Sequence, residues 1–233
     1  DENVNALQLT VSNSLMPVVM EVTNRVKATF DVRANIEEIE KHLRRDPLLK
    51  PVVRKHRGMR LPGAFDGFEL LLRAILGQQI SVRAATTLAG RFAQTFGTRI
   101  ETPHERLTVA TPRAATIANA PIKRIQALGV PRKRAETIKC AAGLVAEGAI
   151  ELMPGADAAA VMRELVKIAG IGEWTADYVA MRALAWPDAF PSGDLGVKKA
   201  LHLTRRKDII ARASDWQPWR SYATLYLWLS LAD

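Results

Sequence analysis

Cysteine is almost absent from this sequence, and histidine is scarce. Cys140 is the single cysteine among 233 residues, which excludes an internal disulfide, a cysteine-rich zinc site and a four-cysteine iron–sulfur cluster. His42, His56, His104 and His202 are too scattered to predict a catalytic metal site made of protein ligands. We therefore expect that no cofactor is required.

Long apolar runs and the common phosphate-binding motifs are missing as well. No apolar run approaches the ~18 residues of a membrane span, and no basic segment followed by an apolar stretch marks a secretory signal. We therefore expect a soluble protein with no membrane partner. The P-loop and Gly-x-Gly-x-x-Gly patterns are also absent. Because the chain begins at Asp1 rather than at methionine, we expect that an N-terminal piece is missing.

Basic residues are in clear excess, since 33 Lys and Arg face 24 Asp and Glu for a net charge of +9. A surplus of this size favours a polyanionic partner, most often nucleic acid. Many of the cations fall in three clusters, at residues 54–57 with Arg60, at residues 132–134, and at residues 198–199 with 205–207. For any one cluster, a solvated surface is as good an interpretation as phosphate contact.

The pattern of apolar residues predicts a mostly helical chain after a small mixed beginning. Residues 6–12 alternate in polarity, which is typical of a half-buried strand. A helix ending near Phe30 follows, and Asn35 with Glu38 forms a capping box for a short helix that stops before Asp46. From there to the end, helix caps and 3.6-residue periodicity predict helices only, so the expected fold class is mainly α.

The most informative segment is a pair of predicted helices joined by Gly170-Ile171-Gly172. The glycines allow a positive φ and a close approach to another surface. The N–H groups at the start of the second helix, together with the helix dipole, form a site suited to a phosphate. A glycine-rich corner with a packing role alone is the alternative, and for two glycines taken by themselves it is the better interpretation.

A second segment, Pro191-Ser192-Gly193-Asp194, follows the hairpin, with Asp194 placed 22 residues after Gly172. The hairpin, an aromatic-rich helix and a Pro/Gly loop ending in aspartate resemble the helix-hairpin-helix DNA glycosylase superfamily. Four further stretches resemble its bacterial 3-methyladenine DNA glycosylase II family, and the similarities together cover nearly the whole chain. These stretches are Arg60-Leu61-Pro62-Gly63, Arg73-Ala74-Ile75-Leu76-Gly77-Gln78, Leu128-Gly129 with Lys133-Arg134-Ala135-Glu136, and Pro218-Trp219-Arg220-Ser221-Tyr222-Ala223.

The resemblance implies a fold and a function. Residues 1–46 would be the truncated end of an antiparallel β/α N-terminal domain, and residues 47–233 the all-helical helix-hairpin-helix glycosylase domain. The chain would be a monofunctional DNA glycosylase that hydrolyses the N-glycosidic bond of alkylated purines in double-stranded DNA during base excision repair. We expect a monomer in the bacterial cytoplasm, associated with the nucleoid through its substrate.

Asp194 is the candidate catalytic residue. A DNA glycosylase must flip its target nucleotide out of the stack, and bond breaking leaves an oxocarbenium-like sugar. A carboxylate beside the sugar stabilises that cation and can orient water. An aspartate before a helix is also a common N-cap, and without the hairpin and the loop that would be the better interpretation of Asp194.

Aromatic side chains are expected to hold the flipped base. An alkylated base is often cationic, and an aromatic wall attracts it by stacking and cation–π interaction. Trp174 and Tyr178 lie four residues apart on one helical face, and with Trp228 they match pocket aromatics of the family. Tyr222 is a fourth candidate. Core packing is the usual alternative for aromatics at helical spacing.

The resemblance also implies contacts to DNA and to an ion. Gln79 occupies the position of the wedge residue, which fills the gap left by the flipped nucleotide, although the best-known pattern has leucine there. The hairpin, through Gly170, Ile171 and Gly172 with Thr175, would bind the DNA backbone. The carbonyls that would hold a monovalent cation are those of Val166, Ile168 and Ile171.

Two other functions remain open at this point. One is a helix-hairpin-helix module that binds DNA without cutting a bond, against which the aspartate in its loop argues. The other is a glycosylase/lyase, which in this superfamily attacks the sugar with a lysine two residues after the second hairpin glycine. That position is Trp174 here, and Lys167 lies before the turn, so we expect no Schiff base.

Overall fold

A computed structural model describes residues 6–232. Within that range the secondary structure consists of α-helices, two 3₁₀ helices and one two-stranded sheet, which confirms the predicted mainly α fold class. None of the helices in this part of the chain is long and apolar enough to cross a membrane.

The helices follow one another with short connections. In chain order they are α1 (Val19–Thr29), α2 (Ile36–Leu43), α3 (Leu49–Lys55), α4 (Gly67–Leu76), α5 (Val82–Phe96), α6 (Ala114–Asn119), α7 (Ile122–Gln126), α8 (Arg132–Ala146), α9 (Ala158–Lys167), α10 (Glu173–Arg182), α11 (Leu195–Leu201), α12 (Arg206–Arg212) and α13 (Arg220–Leu229). The 3₁₀ helices span Asn13–Val18 and Ser214–Trp216. Strand β1 (Thr98–Arg99) pairs antiparallel with β2 (Val109–Ala110), with Thr98 opposite Ala110.

Side-chain caps set the starts of five helices, and two of these caps, Asn35 and Asp194, are named in the sequence analysis. In each, a side-chain oxygen accepts the backbone N–H three residues further on and so satisfies a donor that has no partner inside the helix. The caps and their N···O distances are Asn35 (3.3 Å), Asp66 (2.8 Å), Ser81 (3.2 Å), Asp157 (3.0 Å) and Asp194 (2.9 Å), before α2, α4, α5, α9 and α11 respectively. Local chemistry therefore determines these boundaries.

Several local predictions are wrong. Residues 6–12 form no strand, and Leu7 and Leu9 are exposed. A strand needs a hydrogen-bonding partner, and the described residues bring none to this segment. The prediction of helices only after residue 46 missed the strand pair β1–β2.

The apolar core is continuous and includes residues on both sides of position 46. Ile39 and Leu43 of α2 belong to the same buried cluster as residues of every later helix from α3 to α13. Asp46 accepts hydrogen bonds from the Trp216 indole at 2.6 Å and pairs with Arg212 at 2.6 Å. Burial pushes the pKa of Asp46 upwards, but these two partners and the Leu48 N–H together outweigh it and hold the pKa below its usual value. The domain division at residue 46 stays a prediction.

The packing of the central helices brings the candidate site together. Helix α10 packs against α4 and α9, and α11 packs against α13. Helices from distant parts of the sequence, α4 with α10 and α11 with α13, are therefore brought into contact.

Candidate active site

The hairpin, residues 168–172, turns the chain from α9 into α10. Gly170 has a φ of +93°, and a Cβ built on it would lie 2.4 Å from Thr137 Oγ1. The same hydroxyl donates to the carbonyl of Ala169 at 2.7 Å, so α8 supports the turn directly. Glycine is required at position 170 for backbone conformation and for space.

Gly172 differs from Gly170 in both respects. Its φ is −96°, and no atom lies within 4 Å of a Cβ built on it. It is the N-cap of α10 and makes no side-chain capping bond, so no side chain takes up the first N–H groups of this helix. The fold itself does not need a glycine here. The open surface and the uncapped helix start are suited to close approach of a phosphate.

Asp194 is the N-cap of α11 and is also the centre of a wider cluster. Its Oδ1 accepts the Val197 N–H at 2.9 Å and the Trp228 indole N–H at 2.8 Å. Its Oδ2 accepts the Trp174 indole N–H at 2.9 Å. The two interpretations of Asp194 are therefore compatible, because one oxygen caps the helix while both oxygens bind indoles from α10 and α13.

The aromatic side chains of α10 form a stack beside this carboxylate. The rings of Trp174 and Tyr178 are nearly parallel, at 8°, with centroids 5.3 Å apart. Arg182, another four residues along, places its guanidinium 5.6 Å from the centre of the Tyr178 ring. The sequence analysis missed Arg182, although its spacing of four from Tyr178 could have indicated it. Trp228 closes the cluster, since a Cβ on Gly196 would lie 2.9 Å from its ring.

Tyr222 is the predicted aromatic that the structure does not bring to Asp194. It is buried, and its hydroxyl donates to Asp31 Oδ2 at 2.7 Å. Burial and the neighbouring Asp31 carboxylate both raise the pKa of Tyr222. Tyr222 therefore lies in a contact between α13 and the segment after α1, where its hydroxyl has a hydrogen-bond partner.

The three predicted DNA contacts that are not glycines lie in different surroundings, and the side chain of Ile171 is buried. Gln79 is exposed at the tip of the α4–α5 turn, residues 77–81, and has a φ of +59°. Thr175 is only 2% exposed, and its hydroxyl accepts a hydrogen bond from Gln78 Nε2 at 3.2 Å. Because it is buried, the Thr175 side chain faces the protein rather than solvent. Gln78 itself was not among the predicted site residues.

Helix α10 also carries a buried carboxyl, Asp177, which lies between Trp174 and Tyr178 in the sequence. Burial, followed by the nearby charge of Glu173, raises the pKa of Asp177 to about 7, while Arg206 and Arg220 act against that rise. The backbone N–H of Phe190, in the loop that leads to Asp194, acts to lower the pKa of Asp177. Nothing in the sequence marks Asp177, because its burial depends on how α10 packs against this loop.

Some groups of the predicted ion site and of the basic clusters already have partners within the protein. Within residues 6–232, no three His, Cys, Asp or Glu side chains gather to hold a metal ion. Of the hairpin carbonyls, that of Ile168 accepts the Ile171 N–H at 3.0 Å.

In the third basic cluster, Arg206 pairs with Glu173 at 2.6 Å and donates to Ser192 Oγ at 3.1 Å. Arg206 therefore supports the loop before Asp194 as well as contributing charge.

The comparisons with known proteins match this arrangement. The AlkA N-terminal domain family matches residues 1–66, and the HhH-GPD superfamily base excision DNA repair protein family matches residues 72–212. The probable bifunctional transcriptional activator/DNA repair enzyme AlkA of Mycobacterium tuberculosis is 37% identical over 217 residues, which are 91% of this chain and 43% of that protein. DNA-3-methyladenine glycosylase 2 of Escherichia coli is 35% identical over 224 residues, 96% of this chain and 77% of that protein. The solved structure of 3-methyladenine DNA-glycosylase from Archaeoglobus fulgidus has a TM-score of 0.78 at 24% identity and covers 94% of this chain and 76% of that one.

The helical body, the glycine hairpin and the carboxylate held by two indoles define a helix-hairpin-helix protein of the glycosylase class. The chain belongs to the HhH-GPD superfamily of base excision DNA repair proteins, within the family of DNA-3-methyladenine glycosylase 2, as the sequence analysis predicted. It spans less than half the length of the Mycobacterium tuberculosis relative.

Proposed function

We propose that this chain is a monofunctional DNA glycosylase that removes alkylated purines of the 3-methyladenine type from double-stranded DNA. The observation that carries the proposal is the Asp194 carboxylate, held at 2.8–2.9 Å by the indole N–H groups of Trp174 and Trp228 beside an aromatic stack. The names of its relatives support the same reaction and substrate class.

Asp194 acts on the sugar in this proposal. As the N-glycosidic bond breaks, positive charge develops on the sugar, and the electron pair of the bond leaves with the base. The negative charge of Asp194 stabilises that cation. Its oxygens orient the water that adds to the anomeric carbon, and the proton which that water loses passes through the Asp194 carboxylate to solvent. The two indole donors hold the carboxylate in one orientation, so little reorganisation is needed during the reaction.

The aromatic side chains bind the flipped base. The Trp174–Tyr178 stack and the Trp228 ring offer faces that attract a cationic base by stacking and cation–π interaction. Gln79 enters the gap in the duplex, and the N–H groups at the start of α10 bind a backbone phosphate beside Gly172. Tyr222 supports α13 from behind through Asp31.

A glycosylase/lyase mechanism is disfavoured by the residues present. Trp174, two residues after Gly172, has no nucleophilic amine to form a Schiff base with the opened sugar. Lys167 lies on α9, before the hairpin, and pairs with Glu164 at 2.6 Å. The product is therefore an intact strand that carries an abasic site.

The test is incubation of the protein with methylated DNA, followed by chromatographic identification of the released bases. We expect methylated purines, no adduct on borohydride trapping, and strand breaks only after alkali. A trapped adduct that maps to a lysine would make the protein a lyase. Salt-dependent DNA binding without base release would make it a non-catalytic module.

The proposal also covers a bound ion, the oligomeric state and the location in the cell. A monovalent cation would bind the carbonyls of Val166, Ile168 and Ile171. The turn is suited to this because Thr137 and Gln78 bind the carbonyls of Ala169 and Gly170 and so fix the backbone between the ligands. No catalytic step uses that ion. We also propose that the protein acts as a monomer, in the bacterial cytoplasm.

A further inference from the structure

The side chain of Gln78 connects the α4–α5 turn to both sides of the hairpin. Its Nε2 donates to the carbonyl of Gly170 at 3.0 Å and to Thr175 Oγ1 at 3.2 Å. One acceptor lies in the turn of the hairpin and the other lies in the first turn of α10. A single half-buried amide therefore bridges segments that are more than 90 residues apart in sequence.

The backbone of Gln78 is held from a third direction. Its carbonyl accepts a hydrogen bond from Arg134 Nη2 at 2.8 Å, and Arg134 lies on α8. One turn further along α8, Thr137 donates to the carbonyl of Ala169 at 2.7 Å. Helix α8 thus supports the α4–α5 turn and the hairpin at the same time, and Gln78 lies between the two supports.

The next residue, Gln79, needs such support. It is exposed, yet its φ of +59° lies in the left-handed region that residues with a Cβ rarely adopt. A strained conformation of this kind persists only where the surrounding structure holds it, and it is frequent at ligand-binding positions. The turn has one backbone bond across Gln79, from the Ile80 N–H to the Gly77 carbonyl at 3.5 Å, and the Gln78 bonds tie it to the hairpin and to α8.

We propose that Gln78 is a positioning residue that couples the insertion of Gln79 into the duplex to the seating of the hairpin on the DNA backbone. The proposal rests on the proposed function. When a phosphate docks at the start of α10, the Gln78 amide fixes where the tip of the α4–α5 turn meets the base stack. A protein without this link still binds the backbone but fills the gap at a flipped nucleotide less well.

The test compares two duplexes, one undamaged and one with a tetrahydrofuran abasic analogue, by fluorescence anisotropy. Gln78→Met keeps the length of the side chain and removes its donor. We expect affinity for the undamaged duplex within about twofold of wild type, and preference for the abasic duplex reduced about tenfold, as for the loss of one to two neutral hydrogen bonds. Gln78→Glu should be worse still, because a carboxylate would face the Gly170 carbonyl. Wild-type preference in either variant would overturn the proposal.

A double-mutant cycle with Gln79→Ala separates coupling from general damage to the fold. If Gln78 acts by placing Gln79, then Gln78→Met should change the abasic preference by less than about twofold once Gln79 is alanine. Equal losses in both backgrounds would mean that Gln78 acts on its own, and would overturn the proposal. If Gln78→Met does not fold, Thr175→Val replaces it. This variant should also reduce the preference for the abasic duplex, but by less. An unchanged preference in Thr175→Val would overturn the proposal.

Amide hydrogen exchange without DNA distinguishes failure of this inference from failure of the proposed function. In Gln78→Met, exchange at residues 77–81 and 169–175 should accelerate together, whether or not the protein releases bases. Unchanged exchange in either segment would overturn the coupling. A wild-type protein that releases no base but prefers the abasic duplex, together with loss of that preference and coupled faster exchange in Gln78→Met, would overturn the proposed function alone.

Discussion

Replacing Asp194 by asparagine removes the negative charge and also replaces one acceptor oxygen by a donor NH₂ group. Oδ1 accepts two N–H groups, from Val197 and Trp228, and Oδ2 accepts one, from Trp174. An asparagine keeps the larger number of bonds by placing its oxygen at the Oδ1 position. Its NH₂ group then faces the Trp174 N–H, at the site where the present distance is 2.9 Å, so two donors confront each other.

The magnitude follows from that geometry. A hydrogen bond to a charged group contributes about 1.5–3 kcal/mol, but Trp174 and Asp194 are only half-buried, so water can partly replace the lost partner. We expect Asp194→Asn to lower the free energy of unfolding by about 1–2 kcal/mol. For a chain of this size, that corresponds to a fall in Tm of about 2–8 °C. Base release should fall about 10²–10³-fold, because a preorganised charge beside the sugar is lost.

A double-mutant cycle with Trp174→Phe is the decisive assay. Phenylalanine keeps a ring and has no N–H, so Asp194→Asn should cost about 1 kcal/mol less in that background, as measured by urea unfolding. The same loss in both backgrounds would refute the assigned Trp174–Asp194 bond. Base release is measured under single-turnover conditions. A near wild-type rate for Asp194→Asn would mean that Asp194 is only a helix cap.

Three further predictions use other parts of the site. Gly170→Ala should lower the free energy of unfolding by about 1–3 kcal/mol, because φ is +93° and Thr137 leaves no space for a Cβ. The matched control Gly172→Ala should have a free energy of unfolding within about 0.5 kcal/mol of wild type, because no atom lies near its Cβ. It should, however, bind duplex DNA more weakly. Equal stability losses in the two variants, or unchanged DNA binding by Gly172→Ala, would contradict this. Burial raises the pKa of Asp177 to about 7 in the folded protein, from 3.8 when unfolded. Between these two pH values the folded state keeps a proton on Asp177 that the unfolded state has lost. The stability contributed by Asp177 is therefore complete below about pH 4 and is lost as the pH rises to about 7. Asp177→Asn should flatten that decline in urea titrations, and an unchanged pH profile would argue against the shifted pKa. Affinity for undamaged duplex should fall steeply with salt, because the basic clusters release counterions, and a log–log slope near zero would show that the clusters face away from DNA.

Local hydrogen bonding explains what the sequence by itself determined. The caps at Asn35, Asp66 and Ser81 act on N–H groups three residues away, so the necessary chemistry is contained in a few consecutive letters. The glycine at position 170 is of the same kind, since its positive φ belongs to a tight turn between two helices. The order of hairpin, aromatic helix and loop aspartate indicated the superfamily, and four further short stretches indicated the family.

Only the tertiary structure decided which side chains meet. Tyr222 reaches Asp31 across 191 positions, and Gln78 reaches Gly170 across 92, and neither spacing has a periodic pattern in the sequence. The strand predicted at residues 6–12 failed for the same reason, because alternation indicates a possible strand but the partner must come from elsewhere. Burial of Asp177, and with it the raised pKa, likewise depends on how α10 packs against a later loop. Hydrogen bonds between neighbours are encoded locally, whereas contacts between distant helices depend on the packing of the whole core.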